Sequence, residues 1–228
     1  TLFRSYLPSD INDMEKICTE DYSVNLVDMA DNTEDNKTVN DNPNDAKAIS
    51  LGTQVYDTVA TELEQRWYAF SVAKATKFTA AMVMDDTADF DLYVYKLNET
   101  DGTLELVGGS AIVGAGTQEL SMLKLDEGIY FIGIEAATGN GSFLMYTYAG
   151  VNDGKEINDT TDLASSYVRN SRMTATIDSP FDYDYYKVVI SKNDILEYTF
   201  DQPTGCDYKV LVYDGKNYYT INNGTYRL

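Results

Sequence analysis

The chain has 228 residues, 43% of them hydrophobic, so it is long enough and apolar enough to bury a core and is not a disordered tail. Its 37 acidic and 17 basic residues give a net charge of −20, which repels nucleic-acid phosphates and anionic membrane surfaces and attracts cations such as calcium. It contains no histidine, which excludes an ordinary serine or cysteine catalytic triad and removes the commonest ligand for zinc, copper or iron.

The predicted elements begin after an acidic N-terminal segment or linker at residues 1–39, which is rich in Asp, Glu and Asn. Between residues 40 and 150, large apolar residues alternate with smaller or polar ones, as in half-buried strands. About eight short strands separated by turn residues, with no convincing helix, predict an all-β fold of the antiparallel β-sandwich type. No run of 18 apolar residues occurs, so we expect no membrane insertion.

The chain repeats itself at a constant offset, without gaps. Asn40 falls on Asn158, and this pair and several later identical pairs differ by 118 in residue number. An offset that stays constant over such a length indicates two modules built on one plan. We therefore predict a first β-sandwich at residues 40–150 and a second at residues 151–228.

The second copy ends before the plan of the first is complete. Its strands are predicted at Met173–Ile177, Tyr185–Ile190, Ile195–Phe200 and Lys209–Tyr213. Residue 228 corresponds to residue 110, so the counterparts of residues 111–150 are absent and the second sandwich is incomplete. An incomplete sandwich exposes apolar faces and unpaired edges. We expect the chain to be a fragment, because residues 1–39, the alternative source of the missing strands, lack a clean alternating pattern.

The chain has two cysteines, Cys18 and Cys206, which are too few for a structural zinc site. In a secreted protein they could form one disulfide that joins the N-terminal segment to the second module. Otherwise each is a buried, reduced thiol. The sequence leaves both alternatives open.

Four short motifs occur in a recognisable order. The second copy carries Asn158–Ala164 and Asp182–Val188, and the first copy carries Asp89–Tyr95 and Leu125–Ile132. Over roughly residues 40 to 228 this order resembles the bacterial pre-peptidase C-terminal (PPC) domain family, whose relatives include the collagen-binding domains of clostridial collagenases. The resemblance implies jelly-roll-like sandwiches, a secreted or cell-surface protein and a noncatalytic appendage. It also implies calcium between the Asn-Asp segment and the acidic turn.

A calcium site in the second copy is the first candidate for chemistry. Calcium takes six to eight oxygen ligands, which an Asn-Asp segment beside an acidic turn can supply without a helix. The candidate ligands are Asn158, Asp159, Asp162, Asp182 and Asp184. The alternative is that these residues only cap turns and begin a strand in solvent. In the first copy Arg66 stands at the position of Asp184, which argues against calcium there.

Tyrosines of the second copy are the second candidate, for ligand binding. A tyrosine combines a large contact area with a hydroxyl group, which suits binding surfaces. The candidate residues are Tyr183, Tyr208, Tyr218 and Tyr219. The alternative is that they pack in the core or stabilise cross-strand pairs.

Two acids that alternate on one strand, Asp89 and Asp91, are the third candidate. Such a pair could act as the acid and base of a glycosidase. Trp67 is the only tryptophan, however, so no tryptophan-lined sugar subsite is indicated. We therefore expect these acids to form hydrogen bonds with a neighbouring loop or strand edge.

Together these features predict a noncatalytic binding or accessory module of a secreted or surface bacterial protein. Its expected partner is an extracellular protein or polysaccharide, with calcium as the cofactor and without nucleic acid. The alternative is a structural stalk or adhesin spacer with no ligand of its own. An enzyme is disfavoured, because the missing histidines and dispersed acids leave no plausible constellation.

Overall fold

The computed structural model of the chain describes residues 39–62, 64–150, 153–191, 195–221 and 224–227. These residues divide into two compact units. The first unit extends to Ser165 and includes Arg172–Tyr186, and the second consists of Ser166–Ser171 and the residues from Lys187 onward. The N-terminal segment at residues 1–38 lies outside the described residues.

The first unit contains a β-sandwich of two sheets. Its strands are β1 (Lys47–Ala48), β2 (Gln54–Val59), β3 (Gln65–Val72), β4 (Thr76–Met84), β5 (Asp89–Leu97), β6 (Leu104–Ser110), β7 (Glu119–Leu125), β8 (Gly128–Thr138) and β9 (Gly141–Gly150). One sheet has the order β1-β3-β8-β5-β6 and the other β2-β9-β4-β7. The strand pairs within these two sheets are antiparallel except β1 with β3, which is parallel. The predicted all-β, antiparallel sandwich is therefore confirmed.

Alternation within the five-stranded sheet produces two apolar clusters. On β3, Tyr68 and Phe70 belong to the core between the sheets, whereas Trp67 and Ala69 belong to a second cluster. This division follows because successive side chains of a strand point to opposite faces. Trp67 is fully buried, and its ring packs on the backbone of Gly133 in β8, where a Cβ atom would lie 3.1–3.2 Å from three ring atoms.

Hydrogen bonds recur at the offset of the sequence repeat. Trp67 N donates to Asn40 O at 2.7 Å, and Asn40 Nδ2 donates to Trp67 O at 2.8 Å. In the second copy Tyr185 N donates to Asn158 O at 2.8 Å, and Asn158 Nδ2 donates to Tyr185 O at 3.4 Å. The Asn-Asp segment is thus bonded in the same way in both copies, to a residue of β3 in the first and to the residue before β11 in the second. The module boundary near residue 150 stays a prediction.

The remaining strands are short. They are β10 (Ser165–Ser166), β11 (Tyr186–Lys187), β12 (Ile195–Tyr198), β13 (Val210–Tyr213), β14 (Tyr218–Ile221) and β15 (Gly224–Arg227). β10 pairs with β11, β12 with β15 and β13 with β14. Three of the four strands predicted for the second copy contain β11, β12 or β13, but Met173–Ile177 is not a strand. There the Thr174 carbonyl accepts a hydrogen bond from Lys155 Nζ, at 2.9 Å.

Helical structure in the described ranges is confined to a 3-10 turn at Pro43–Asp45, capped by the Asn42 side chain. The part of the chain that the structure describes therefore has no helix that is long and apolar enough to cross a membrane.

Substitution of Gly133 by valine should destabilise the sandwich, because the added side chain would overlap the Trp67 ring. Overpacking of this kind costs about 2 kcal/mol, which should appear as a lower urea midpoint. Ser71→Val at an exposed position of β3 is the matched control and should leave the midpoint nearly unchanged. Equal midpoints for Gly133→Val and the wild type would contradict the tight packing.

Candidate metal site

A buried lysine on β4 is the centre of the candidate site. Phe78, Ala80 and Met82 of β4 point into the core between the sheets, so Lys77 points to the opposite face of the four-stranded sheet. There two acidic segments, Glu156–Asp159 and Ser179–Asp182, bring carboxylates to the lysine, whose side chain is fully buried.

Local contacts hold the second of these segments in place. Asp182 N donates to Ser179 O at 3.2 Å, and Asp182 Oδ2 accepts from Asp178 N at 2.6 Å. The Phe181 ring packs edge-on against Tyr148 of β9, with 6.1 Å between the ring centroids. Phe181 therefore anchors the aspartate-rich turn on the sheet, which places Asp182 near Lys77.

The Lys77 ammonium forms ion pairs with three carboxylates. Lys77 Nζ lies 2.8 Å from Asp182 Oδ1, 3.0 Å from Asp159 Oδ1 and 3.3 Å from Glu156 Oε2. All three acidic residues are buried, with relative exposures of 5–7%. One positive charge therefore faces three carboxyl groups in an interior from which water is largely excluded.

The pKa shifts in this cluster follow from burial and from this imbalance of charge. Burial by itself lowers the pKa of Lys77, but the hydrogen bonds and charges of Asp182 and Asp159 outweigh burial and raise it. Burial raises the pKa of Glu156 to about 7 against the opposing effect of Lys77. Burial likewise raises the pKa of Asp159. The charged form of Lys77 is thus strongly favoured over the neutral amine. Its single charge does not neutralise all the carboxyl groups of the cluster.

Several buried oxygens around the cluster accept no hydrogen bond from the described residues. They are Glu156 Oε1, Asn158 Oδ1 and Asp159 Oδ2. Leaving such acceptors unpaired is costly, and a bound cation would satisfy them. One oxygen from each of Glu156, Asp159 and Asp182 can be chosen so that all three lie within 4.8 Å of one another, which suits a single metal ion. The donors are all oxygens, as calcium prefers.

Asp184 and Tyr186 extend the cluster. Burial and the Asp182 charge raise the pKa of Asp184, and the polar side chains of Asn158 and Tyr186 oppose this shift. The pKa of the Tyr186 hydroxyl is raised by burial and by Asp184. These groups interact electrostatically with the carboxylates that surround Lys77.

The structure thus brings four of the five predicted metal ligands, Asn158, Asp159, Asp182 and Asp184, into one electrostatic cluster. The fifth, Asp162, is exposed and belongs to a turn closed by the hydrogen bond from Leu163 N to Thr160 O.

Sequence reasoning missed two members of the cluster, Glu156 and Lys77. Glu156 had a signal, because it lies two residues before Asn158 and alternation along an extended segment can place both on one side. Lys77 had no such signal in the sequence, because 105 positions separate it from Asp182.

The first copy replaces the cluster with a local ion pair. Arg66, at the position equivalent to Asp184, lies with Nη1 2.8 Å from Oε1 of Glu64, the equivalent of Asp182. Glu64 Oε2 accepts from Ala60 N at 2.6 Å, the counterpart of the bond from Asp178 N to Asp182. In both copies a backbone amide of the acidic turn therefore donates to the turn's carboxylate. The positive charge that pairs with this carboxylate comes from a different residue in each copy.

The predicted ligand-binding tyrosines lie in both units. Tyr183, in the acidic turn of the first unit, is 47% exposed. In the second unit Tyr208 is half-buried and packs near Phe200, whereas Tyr218 and Tyr219 are 50% and 37% exposed. Tyr218 stacks on Tyr213, with 4.5 Å between the ring centroids.

The predicted disulfide concerns Cys206, which is half-buried, and Cys18, which lies outside the described residues. The pairing therefore stays a prediction.

No protein-family model matches the chain, and no curated protein matches it. Among solved structures, the chain is similar to the pre-peptidase C-terminal domain of a collagenase from Bacillus anthracis, with 16% identity and a TM-score of 0.39, over 45% of this chain and 93% of that chain. It is also similar to PliG from Aeromonas hydrophila, a periplasmic inhibitor of g-type lysozyme, with 13% identity and a TM-score of 0.35, over 46% of this chain and 95% of that chain. A domain of the family that the sequence motifs resemble is thus among the similar structures.

Proposed function

We propose that this protein is a noncatalytic accessory binding module of a secreted or surface bacterial protein and that calcium stabilises it. The observation that carries the calcium proposal is the group of unpaired, buried oxygens beside Lys77, on Glu156, Asn158 and Asp159. These oxygens belong to a cluster whose three carboxyl groups exceed the single positive charge of the lysine. Calcium would supply the missing positive charge.

Calcium and the Lys77 ammonium share their ligand oxygens. Lys77 Nζ lies 2.8–3.3 Å from one oxygen of each carboxylate, whereas calcium binds oxygens at about 2.3–2.6 Å. Calcium and the ammonium would repel each other strongly if both bound the same oxygens in a buried site. Calcium therefore either displaces the ammonium or binds the neighbouring unpaired oxygens, and removal of the ammonium should favour the metal.

Lys77→Met should lower the free energy of unfolding by about 3 kcal/mol in excess chelator, because three buried carboxylates lose their ammonium partner. Saturating calcium should restore much of this loss, since the metal takes over the same charge. Urea unfolding with and without calcium measures both effects.

Lys124→Met is the matched control, because Lys124 lies directly opposite Lys77 on β7 and is exposed. It should change neither the stability in chelator nor the response to calcium. A Lys77→Met protein that is equally unstable with and without calcium would contradict binding of the metal at this cluster.

Glu156→Gln should weaken calcium binding about tenfold, which corresponds to about 1.4 kcal/mol, because it removes a charged ligand.

The wild type should gain about 2.7 kcal/mol of stability at calcium concentrations 100-fold above the dissociation constant. Calorimetric titration and thermal melting measure these quantities. Glu127→Gln, in the exposed turn before β8, is the control, and an unchanged melting temperature of the wild type on chelation would exclude the metal.

The binding role is supported by exposed tyrosines in the second unit. Tyr213 and Tyr218 stack with an interplanar angle of 23° and are 43% and 50% exposed. The Tyr219 hydroxyl donates to Asp214 Oδ2 at 3.0 Å, which orients the Tyr219 ring. Stacked rings with hydroxyl groups at their edges suit an extended polypeptide such as collagen or a polysaccharide.

Tyr218→Ala should weaken binding to collagen or to the preferred polysaccharide about tenfold, the cost of losing one well-packed aromatic contact. Tyr56→Ala is the control, because Tyr56 is 71% exposed but lies on β2 of the first unit. Binding isotherms with immobilised polymers provide the measurement. Flat isotherms for the wild type on all polymers would instead favour the second candidate function, a stalk or adhesin spacer.

A further inference from the structure

The loop Ala111–Gln118, between β6 and β7, is held by buried carboxylates. Ile112 N donates to both carboxylate oxygens of Glu119, at 3.1 and 3.2 Å, and Gly114 N donates to Asp89 Oδ2 at 3.0 Å. Val113, between these two amides, is 92% exposed. Two acids from the interior thus fix the backbone on either side of an apolar residue at the loop apex.

Further contacts complete the closed loop. Thr117 Oγ1 donates to Ile112 O at 2.9 Å, and Gly116 N donates to Ala88 O at 2.8 Å. Gly116 has a φ of 70°, which favours glycine, and a Cβ atom there would lie 3.0 Å from the Asp86 Cα. The loop is therefore closely packed against the chain segment that precedes β5.

The anchoring acids belong to a buried group of carboxyl side chains. Asp89, Asp91 and Glu119 have relative exposures of 6%, 9% and 1%, and Asp89 Oδ1 accepts no hydrogen bond from the described residues. Glu135 of β8 is the cross-strand partner of Asp91. Tyr93 donates its hydroxyl hydrogen to Asp91 Oδ2 at 3.1 Å. The ionisable groups that interact electrostatically around this loop are therefore mainly carboxylates.

Burial and these neighbouring charges favour protonation. Burial raises the pKa of Glu119 to about 7, and the charges of Asp91 and Asp89 add to this effect, whereas the Ser110 hydroxyl and the Ile112 amide oppose it. Burial raises the pKa of Asp91 to about 6, helped by the charges of Asp89 and Glu135 and opposed by the Tyr93 hydroxyl. When both acids ionise, like charges accumulate in an environment of low polarity.

We propose that the buried carboxyl groups of Glu119 and Asp91 make the loop Ala111–Gln118 a pH-operated clasp, closed in mildly acidic solution and released as the pH rises. Opening exposes Glu119 to water, where its pKa returns to the ordinary value near 4.3. Because the pKa of Glu119 is higher in the closed state than in the open state, protonation favours the closed state. This stabilisation is complete at pH values below the ordinary glutamate pKa, and it is lost as the pH rises through about 7. The clasp therefore changes between mildly acidic and mildly alkaline solution.

Amide hydrogen exchange of the full chain, followed by NMR in excess EDTA, tests the proposal. After correction for intrinsic exchange rates, the protection of the Ile112 and Gly114 amides should fall at least about tenfold between pH 5.5 and pH 8, as expected for a pKa difference of this size. The amide of Ile132, in the middle of β8, serves as the reference for global unfolding and should change much less. An equal loss of protection at Ile132 would overturn the proposal.

Glu119→Gln tests the role of the charge, since the glutamine oxygen can still accept from Ile112 N. Protection of the loop amides should then change less than about twofold over the same pH range, and Asp91→Asn should reduce the change in part. Glu105→Gln, at an exposed position of β6, should behave as the wild type does.

Carbon-13 titration of the Glu119 carboxyl in the wild type keeps the proposal testable if a variant fails to fold. A midpoint well above the ordinary glutamate value supports the clasp. A midpoint near 4.3, or a pH response that Glu119→Gln leaves unchanged, would overturn it.

Discussion

The contact between the Lys77 ammonium and three buried carboxylates makes the arrangement of the first unit possible. Two acidic segments pack around Lys77 on the outer face of the four-stranded sheet, and the carboxylates they bury would repel one another without a cation between them. Lys77 supplies that cation from β4, on the face of the sheet that points away from the core. The ion cluster therefore links the charge of the Asn-Asp segment and the acidic turn to the packing of the sandwich.

The two copies of the repeat share a backbone plan and differ in how they balance charge. In both, an asparagine at the start of the copy is bonded to the backbone of a residue 27 positions later, and a turn carboxylate accepts a hydrogen bond from the backbone amide four residues before it. In the first copy Arg66 pairs with Glu64 within the same strand region, whereas in the second the charge partner comes from a distant strand. The hydrogen bonds that involve the backbone are the same in both copies, whereas the ion pairs of the acidic turn differ.

Much of the sandwich could be predicted, because Tyr68, Phe70 and their neighbours on β3 alternate as a half-buried strand requires. The clustering of Asp159 with Asp182 was also predictable from an Asn-Asp segment followed by an acidic turn. Lys77 was not, since alternation shows which face a residue takes but not what covers that face. Met173–Ile177 alternates as a strand does, yet the Thr174 carbonyl is bonded to a lysine side chain. Glu119 gave no signal, because its partners lie in a loop without periodicity.

Trp67 is the only tryptophan of the chain, and it lies fully buried against Gly133 and near Tyr95, with 5.3 Å between the ring centroids. Its fluorescence therefore reports on the interior of the first unit, whereas the tyrosine absorbance samples the whole chain. If the two units melt separately, the emission of this single indole will follow only one of the two transitions. The protein thus carries an intrinsic optical reporter that is confined to the sandwich.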